Sequence, residues 1–462
     1  MNKKRKTVKI VIFLLVLSFI AAAVPAILLS DKHHKTKGRE GFTQTELVLY
    51  EGHSKSVTLY NKNSEQAVLR SRDEEIAKVL ATGQVTAVKA GETEIVAVLG
   101  KKEYFCKVTV KEPVSPVYYA KAVKEKEWIL SQRLDNGLFV NCMAEEENVL
   151  LVNPYFSSEV ANAILLSGAD VNDVLCVKMY LDWYFERINI QEDYNGLKGT
   201  MYDYMEFLDE EGKVEKEQAY GQYDSTDSYA ALFIITLYHY CVTTGDYDYI
   251  KEKEASFNLI FDAMLATMND GYTITKPDYQ LKYLMDNSEV YEGLKCAALI
   301  YQYVYEDEER TQKASEAYRT MKAYFDTLWW KDGYYSMHLN QNNEDYTEFD
   351  WDVFYPDAVS QLYPIIYGLA DEEKATFLYH EFCEHFEWEK LDYYVGGEVD
   401  YYWGVVAYAA AVMGDGERFD RYIQTYEELS ADRAYPLIAS DSAWIMMAEY
   451  RMAQYYEELE NF

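Results

Sequence analysis

Positive charge is what this chain most lacks: 44 Lys and Arg stand against 78 Asp and Glu in 462 residues, a formal net charge of −34. The shortage is uneven. Residues 1–40 hold nine bases and two acids, so residues 41–462 carry 35 bases against 76 acids, a balance of −41. A field of that sign repels polyanions, which excludes a nucleic-acid partner and disfavours strongly acidic polysaccharides. Cysteine is also sparse. Its six copies (Cys106, Cys142, Cys176, Cys241, Cys296, Cys383) are scattered singly with no CxxC, and four lie in apolar, helix-like stretches. They read as buried thiols rather than a disulfide framework. The seven histidines include no HExxH, and His380 and His385 are five apart, off a common helical face. Neither a metal nor a cofactor is expected. Apolar residues, by contrast, make up 49% of the chain, with 45 Tyr, 19 Phe and 8 Trp. That composition excludes wholesale disorder and a merely solvating acidic tail.

Lys3, Lys4, Arg5 and Lys6 precede an apolar run from Ile10 to Leu29 broken only by Ser18. Twenty residues at about 1.5 Å each are long enough to cross a bilayer. The basic flank stays in the cytoplasm, so everything after Asp31 is expected to face outward. Residues 1–30 therefore read as a single-pass signal anchor in the cell membrane, and 31–45 as a polar tether. A cleavable signal peptide, and so a secreted protein, is the alternative, because Ala21-Ala22-Ala23 and Val24-Pro25-Ala26 offer small-residue cleavage sites.

From residue 46 the apolar period becomes two. Segments 46–50, 56–60, 84–88, 94–98 and 105–110 alternate and are separated by turn residues, which predicts a small β-sandwich over 46–112. The run Thr82-Gly-Gln-Val-Thr-Ala-Val-Lys-Ala-Gly-Glu-Thr-Glu-Ile95, followed by Val108-Thr-Val110, resembles the bacterial Ig-like group 2 domain. The resemblance implies a spacer, or a module that adheres to a cell-wall or surface glycan.

Residues 116–462 repeat apolar positions at i, i+3, i+4 and i+7. Twelve helices are predicted, at 118–133, 157–168, 172–187, 226–242, 249–268, 288–304, 308–329, 357–369, 371–386, 398–413, 416–429 and 440–456. Short links such as Thr244-Gly-Asp246 and Gly414-Asp415 follow the even-numbered helices. Long polar-aromatic links precede them, at 134–156, 188–225, 269–287, 330–356, 387–397 and 430–439. The even helices are the more apolar, as in Ala230-Ala-Leu-Phe-Ile-Ile-Thr-Leu237. Apolar helices inside and amphipathic ones outside predict an all-α (α/α)6 toroid of six helical hairpins, with an open solenoid as the alternative.

In a toroid the even helices run parallel, so their N-termini and the long loops share one rim. Each N-terminus carries an acid: Glu159, Asp227, Glu289, Asp357, Asp400 and Asp441. Capping explains any one of them, and Asp224-Ser-Thr-Asp227 has the look of a capping box. Six on one rim is a different matter, because crowded like charges cost energy unless protonated or used by a ligand. The rim loops add Tyr155, Phe156, Tyr223, Trp329, Trp330, Tyr334, Tyr335, Trp351, Tyr355, Tyr401, Tyr402, Trp403 and Trp444. Rings for C–H faces and carboxylates for hydroxyls suit a carbohydrate.

With that architecture the chain resembles the six-hairpin glycosidase superfamily. Three segments are similar to glycoside hydrolase family 8: Phe156-Ser-Ser-Glu-Val-Ala-Asn162, Tyr223-Asp-Ser-Thr-Asp-Ser-Tyr-Ala-Ala-Leu232 and Tyr355-Pro-Asp-Ala-Val-Ser-Gln361. The resemblance implies Glu159 as general acid and Asp357 as base, with Asp227 as a reserve for either. Asp224, Glu289, Asp400, Asp441 and the aromatics Tyr155, Tyr223, Trp351, Trp403 and Trp444 would bind sugar. Ser360 and Gln361 stand where that family has Arg, and the Ser-Glu pair lacks its Gly. The expected activity is inverting hydrolysis of a neutral glycan by two carboxyls. A non-catalytic glycan-binding protein and a polysaccharide lyase are the alternatives.

Overall fold

The computed structural model describes residues 40–60, 67–141, 148–391 and 401–461. The N-terminal apolar run, Cys142 and Asp400 lie outside them. Among the described residues no helix is long and apolar enough to cross a membrane. They fall into two compact units, one of residues 40–120 with 452–461 and the other of residues 121–451.

In the first unit, β1 (Gly41–Phe42), β2 (Glu46–Tyr50), β3 (Ser54–Ser56), β4 (Leu59–Tyr60), β5 (Val68–Ser71), β6 (Ala77–Val79), β7 (Gln84–Ala87), β8 (Gly91–Leu99) and β9 (Lys102–Lys111) form the module. One sheet has the order β2-β9-β8-β5, with β2 parallel to β9, and a second has the order β3-β7-β6. Alternate residues such as Leu47, Leu49, Val85, Ile95, Cys106 and Val108 meet in one core. Pairing begins with Gly41–Phe42 on β4, five residues before the strand expected at 46.

The helices alternate outer and inner, all within the second unit except the start of the first and the end of the last. The outer ones are α1 (Ser115–Ser131), α3 (Val171–Arg187), the pair α5 (Tyr247–Glu252) and α6 (Glu254–Ala266), α8 (Glu308–Tyr324), α10 (Glu372–His385) and α12 (Gly416–Leu429). The inner ones are α2 (Pro154–Leu166), α4 (Asp227–Thr244), α7 (Leu284–Ile300), α9 (Tyr363–Ile366), α11 (Gly404–Met413) and α13 (Ala439–Asn461). One turn recurs at the inner-to-outer links. A left-handed residue (Gly168, Gly245, Glu306, Gly368 or Gly414) stops the inner helix. Asp170, Asp246, Asp307, Asp371 or Asp415 then caps the next outer helix by accepting from its backbone N–H. This is the stop-and-cap chemistry that glycine and aspartate supply.

Several helices depart from the expected spans: the one expected at 398–413 begins at Gly404 and the one expected at 440–456 runs to Asn461. The one expected at 357–369 is a π-turn at Phe354–Ala358, with Tyr355 extended inside it, and then the short α9, because Pro356 and Pro364 interrupt the hydrogen-bond ladder. The one expected at 249–268 breaks at Lys253, and α7 begins four residues before the expected 288.

The long loops are stitched to one another. Val149–Val152 pairs with Tyr204–Leu208, which pairs with Val214–Ala219. Lys282–Tyr283 pairs with His338–Leu339. Thr226 N–H donates to Thr275 O (2.7 Å), and Ser440 N–H to Asn141 Oδ1 (2.8 Å). Loops bonded in this succession share one face of the ring, as the alternation of link lengths predicts.

Candidate active site

Packing of α4 against α7 sets the site. A Cβ on Gly293 would come within 2.9 Å of Ala231 Cα, so the backbones touch there. Two turns on, Tyr238, Cys241 and Val242 line a small cavity with Leu299, Ile300 and Val304, so the helices run parallel. One turn back from the contact lie Asp227 and Glu289, and just before each lie Asp224 and Asp286. Replacing Gly293 with Ala is therefore expected to destabilise the helical unit by about 1–3 kcal/mol, the cost of overpacking, despite Ala's better helix propensity. A lower thermal midpoint would check this, and an unchanged one would show that the helices can part freely.

The acids form two layers. In the buried layer, Glu289 is 0% exposed and its Oε1 accepts from Tyr155 Oη (2.7 Å), while Oε2 has no partner. Burial first, then Asp286, hold its carboxyl well above the usual range. Asp227 is also 0% exposed, with Oδ1 accepting from Ser228 N–H (2.9 Å) and Oδ2 without a partner. Burial pushes it up to about 7. Glu159 accepts from Trp444 Nε1–H (2.8 Å), and burial pushes it up to about 8. Its position in the second turn of α2, behind the Asn153 cap, frees it from capping, so desolvation wins over the helix dipole.

The accessible layer is Asp203, Asp224 and Asp286. Asp224 is exposed, and the other two are half-buried. Asp203 accepts from Tyr229 Oη (2.9 Å), and burial pushes it up to about 7. Burial, then the charges of Asp227 and Asp224, hold Asp286 far above the usual range. Two rings close on these acids. Tyr355, 42% exposed, lies in the field of Asp286 and Asp224 and rests at 5.2 Å on Trp403. Tyr283 lies in the same field and stacks on Tyr279.

The other expected residues lie around this centre. Asp441 accepts from Tyr402 N–H and Gly404 N–H (both 3.0 Å), so it caps α11, and burial pushes it up to about 6. Asp357 accepts from Asp350 N–H (2.9 Å); its carboxyl is raised, by burial first, and the charges acting on it are Asp350 and His338 rather than the two acid layers. Tyr223 is buried against Tyr194 and Tyr202, its hydroxyl donating to Asp193 Oδ2 (2.7 Å). Trp351 packs on Phe349 and His385, and Tyr334 on Phe349. Trp329 and Tyr335 are fully buried, and Trp330 packs on Tyr335. Tyr401 and Phe354 meet Trp403 edge-on, and Phe156 meets Tyr155.

Asp203 and Asp286 are not among the residues expected at the site, since they fall in the long links 188–225 and 269–287. A signal was present, since Asp286-Asn-Ser-Glu289 repeats Asp224-Ser-Thr-Asp227 in spacing and chemistry. Among the described residues no three His, Cys, Asp or Glu side chains are arranged to hold a metal ion.

Comparison with known proteins bears on both units. The family described as bacterial Ig-like domain (group 2) matches residues 41–110. A search of curated proteins gives no match. Among solved structures, a wild-type glycosidase is 12% identical, with a TM-score of 0.50, over 73% of this chain and 98% of that one. A glutamate-to-alanine variant of a glycosidase is 11% identical with the same score and coverage. A GH76A alpha-1,6-mannanase from Salegentibacter sp. HEL1_6 is 13% identical, with a TM-score of 0.42, over 73% of this chain and 99% of that one. At such identities the likeness to the two glycosidases is one of fold, that of the helical toroid, and the Ig-like module rests on the family match.

Proposed function

We propose that this protein is a glycoside hydrolase acting on a neutral poly- or oligosaccharide by an inverting two-carboxyl mechanism. The observation that carries the reading is the pairing of a half-buried acid, Asp286, whose carboxyl is raised by burial and by the neighbouring acids, with an exposed acid, Asp224, near the exposed ring of Tyr355. Asp286 gives its proton to the glycosidic oxygen as the bond to C1 breaks. Asp224 takes a proton from the water that attacks C1, so the products are one new reducing end and one new hydroxyl. Afterwards a proton returns from Asp224 to Asp286 through solvent. Likeness of fold to a glycosidase supports the class, and the acidic cleft disfavours the lyase reading.

A second assignment rests on one observation: Glu159 is also held protonated, at about 8, as a general acid must be, with Asp357 as its base. The amide variants compared in the Discussion separate the two pairs.

Reducing-end release from a panel of neutral polysaccharides tests the activity. Release with inversion at C1, read by proton NMR, is expected. Absorbance of an unsaturated product would instead identify a lyase, and binding without release an adhesin. Tyr355→Ala should raise KM by about 10-fold or more with a smaller change in kcat, since stacking on a ring is worth roughly 1 kcal/mol or more. An unchanged KM would remove Tyr355 from the cleft wall.

The apolar run behind Lys3–Lys6 supports an extracytoplasmic protein held to the cell membrane by residues 1–30, with the Ig-like module as spacer or glycan-adhesion element. Fractionation of cells expressing the full chain tests this, and recovery in the cytosol would overturn it.

A further inference from the structure

We propose that Glu206 and Glu217 share one proton, and that this proton locks the rim hairpin that carries Asp203 and leads into Asp224. The lock is a pH-sensitive device in the fold and is independent of which acids cleave a sugar. Its ground is a set of contacts. Glu206 and Glu217 face each other across the antiparallel strands Tyr204–Leu208 and Val214–Ala219. Asn136 Nδ2–H donates to Oε2 of both, at 3.2 Å and 3.4 Å. The two carboxyls also lie within hydrogen-bonding reach of each other, a bond that needs a proton on one of them.

Counting charge around the pair gives the same answer. Glu206 is 0% exposed, and its Oε1 has no donor among the described residues. Glu217 takes the nearby cation, with Oε1 accepting from Arg187 Nε (2.6 Å) and Oε2 from the neutral Trp183 Nε1–H (2.7 Å). Arg187 is divided further, since its Nη1 donates to Glu186 (3.3 Å). Lys216 lies over the Phe207 ring and donates to Gln218, and Asp135, bonded to Val214 N–H, adds another acid. On the third strand the residue opposite Glu206 is Leu150, and burial keeps the Tyr204 hydroxyl protonated. Two carboxyls against one shared guanidinium, with one of them out of water, do not both ionise without cost. Burial first, then Glu217, push Glu206 up to about 8.

An acid whose pKa is raised by folding supports the folded form fully at low pH and withdraws that support as pH climbs to the raised value. The strands at stake reach the cleft. Asp203 N–H donates to Gln222 O (2.9 Å) and Tyr220 N–H to Asp203 O (2.7 Å), so parting the hairpin also frees Asp203. The rim is therefore closed in acid and neutral surroundings and loosens in alkaline ones.

Hydrogen exchange of the full chain, read by mass spectrometry on peptides spanning 204–219 and corrected for the intrinsic pH dependence, tests this without a substrate. Opening the hairpin releases the shared proton. The wild-type opening constant should thus rise by about tenfold per pH unit between about pH 6 and 8, and level off above that. Glu206→Gln keeps the shape and a donor toward Glu217 but has no proton to lose, so its opening constant should stay flat. If Glu206→Gln does not fold, Glu217→Gln, which removes the repelling charge, should level off at a lower pH than the wild type. A wild-type opening constant that ignores pH overturns the proposal. So does a slope in Glu206→Gln equal to that of the wild type, or a Glu217→Gln profile that coincides with it.

Discussion

Asp286→Asn is expected to lower hydrolysis by about 10²–10⁴-fold, the usual contribution of a general acid. Asn keeps the shape of the side chain but has no proton to give to the leaving oxygen. Asp224→Asn should cause a loss of similar size, and added azide should restore part of it, because a small anion can take over the attack on C1. Glu159→Gln discriminates. Glu159 is buried and engaged by the Trp444 indole N–H. If it only supports the cleft, Glu159→Gln should leave kcat within about tenfold. A loss of more than about 10²-fold in Glu159→Gln and Asp357→Asn, with Asp286→Asn near wild type, would transfer the chemistry to that pair. Rates of reducing-end release at matched pH decide.

The largest stability effect is expected at Glu125. This buried carboxylate accepts from Arg433 Nη1 and Nη2 (both 2.6 Å), from Tyr426 Oη (2.9 Å) and from Ser442 Oγ (2.6 Å). Truncation to Ala leaves a guanidinium and two hydroxyls facing a hole. Breaking a buried pair from one side costs about 3–5 kcal/mol. Glu125→Ala should lower the unfolding free energy of the helical unit by that amount, read as a lower denaturant midpoint. Removing both charges in Glu125→Leu/Arg433→Met should recover much of the loss, since no uncompensated charge remains. A single variant within about 1 kcal/mol of wild type would show that water replaces the lost carboxylate.

The ring was legible because its punctuation is chemical. Apolar periodicity located the helices, and Gly-Asp pairs such as Gly245-Asp246 and Gly414-Asp415 marked the short links. The rim followed from link length alone. What escaped was the depth of each acid. Glu159, Asp227 and Glu289 look alike in sequence, yet packing at Gly293 and the Trp444 contact bury them, while Asp224 and Asp286 stay within reach of solvent. Periodicity places a residue on a face but not at a height along a cleft. Asp286 was missed because α7 starts at Leu284, where the pairing of Tyr283 with His338 ends, and that partner is 55 residues away. Proline caused the other error, since Pro356 and Pro364 cut an apolar run that otherwise reads as one helix.

The Glu125 cluster also bears on how the chain matures. Its partners lie 301–317 residues downstream, at Tyr426, Arg433 and Ser442. Hairpins can form one after another as the polypeptide is synthesised, because their contacts are local. The ring cannot. Until residue 442 has emerged, α1 has no partner for its buried carboxylate, and the growing product is an open arc of hairpins. Contacts of such long range form late and slowly. A ribosome-bound intermediate halted before residue 426 should therefore be helical but readily cut by protease within α1.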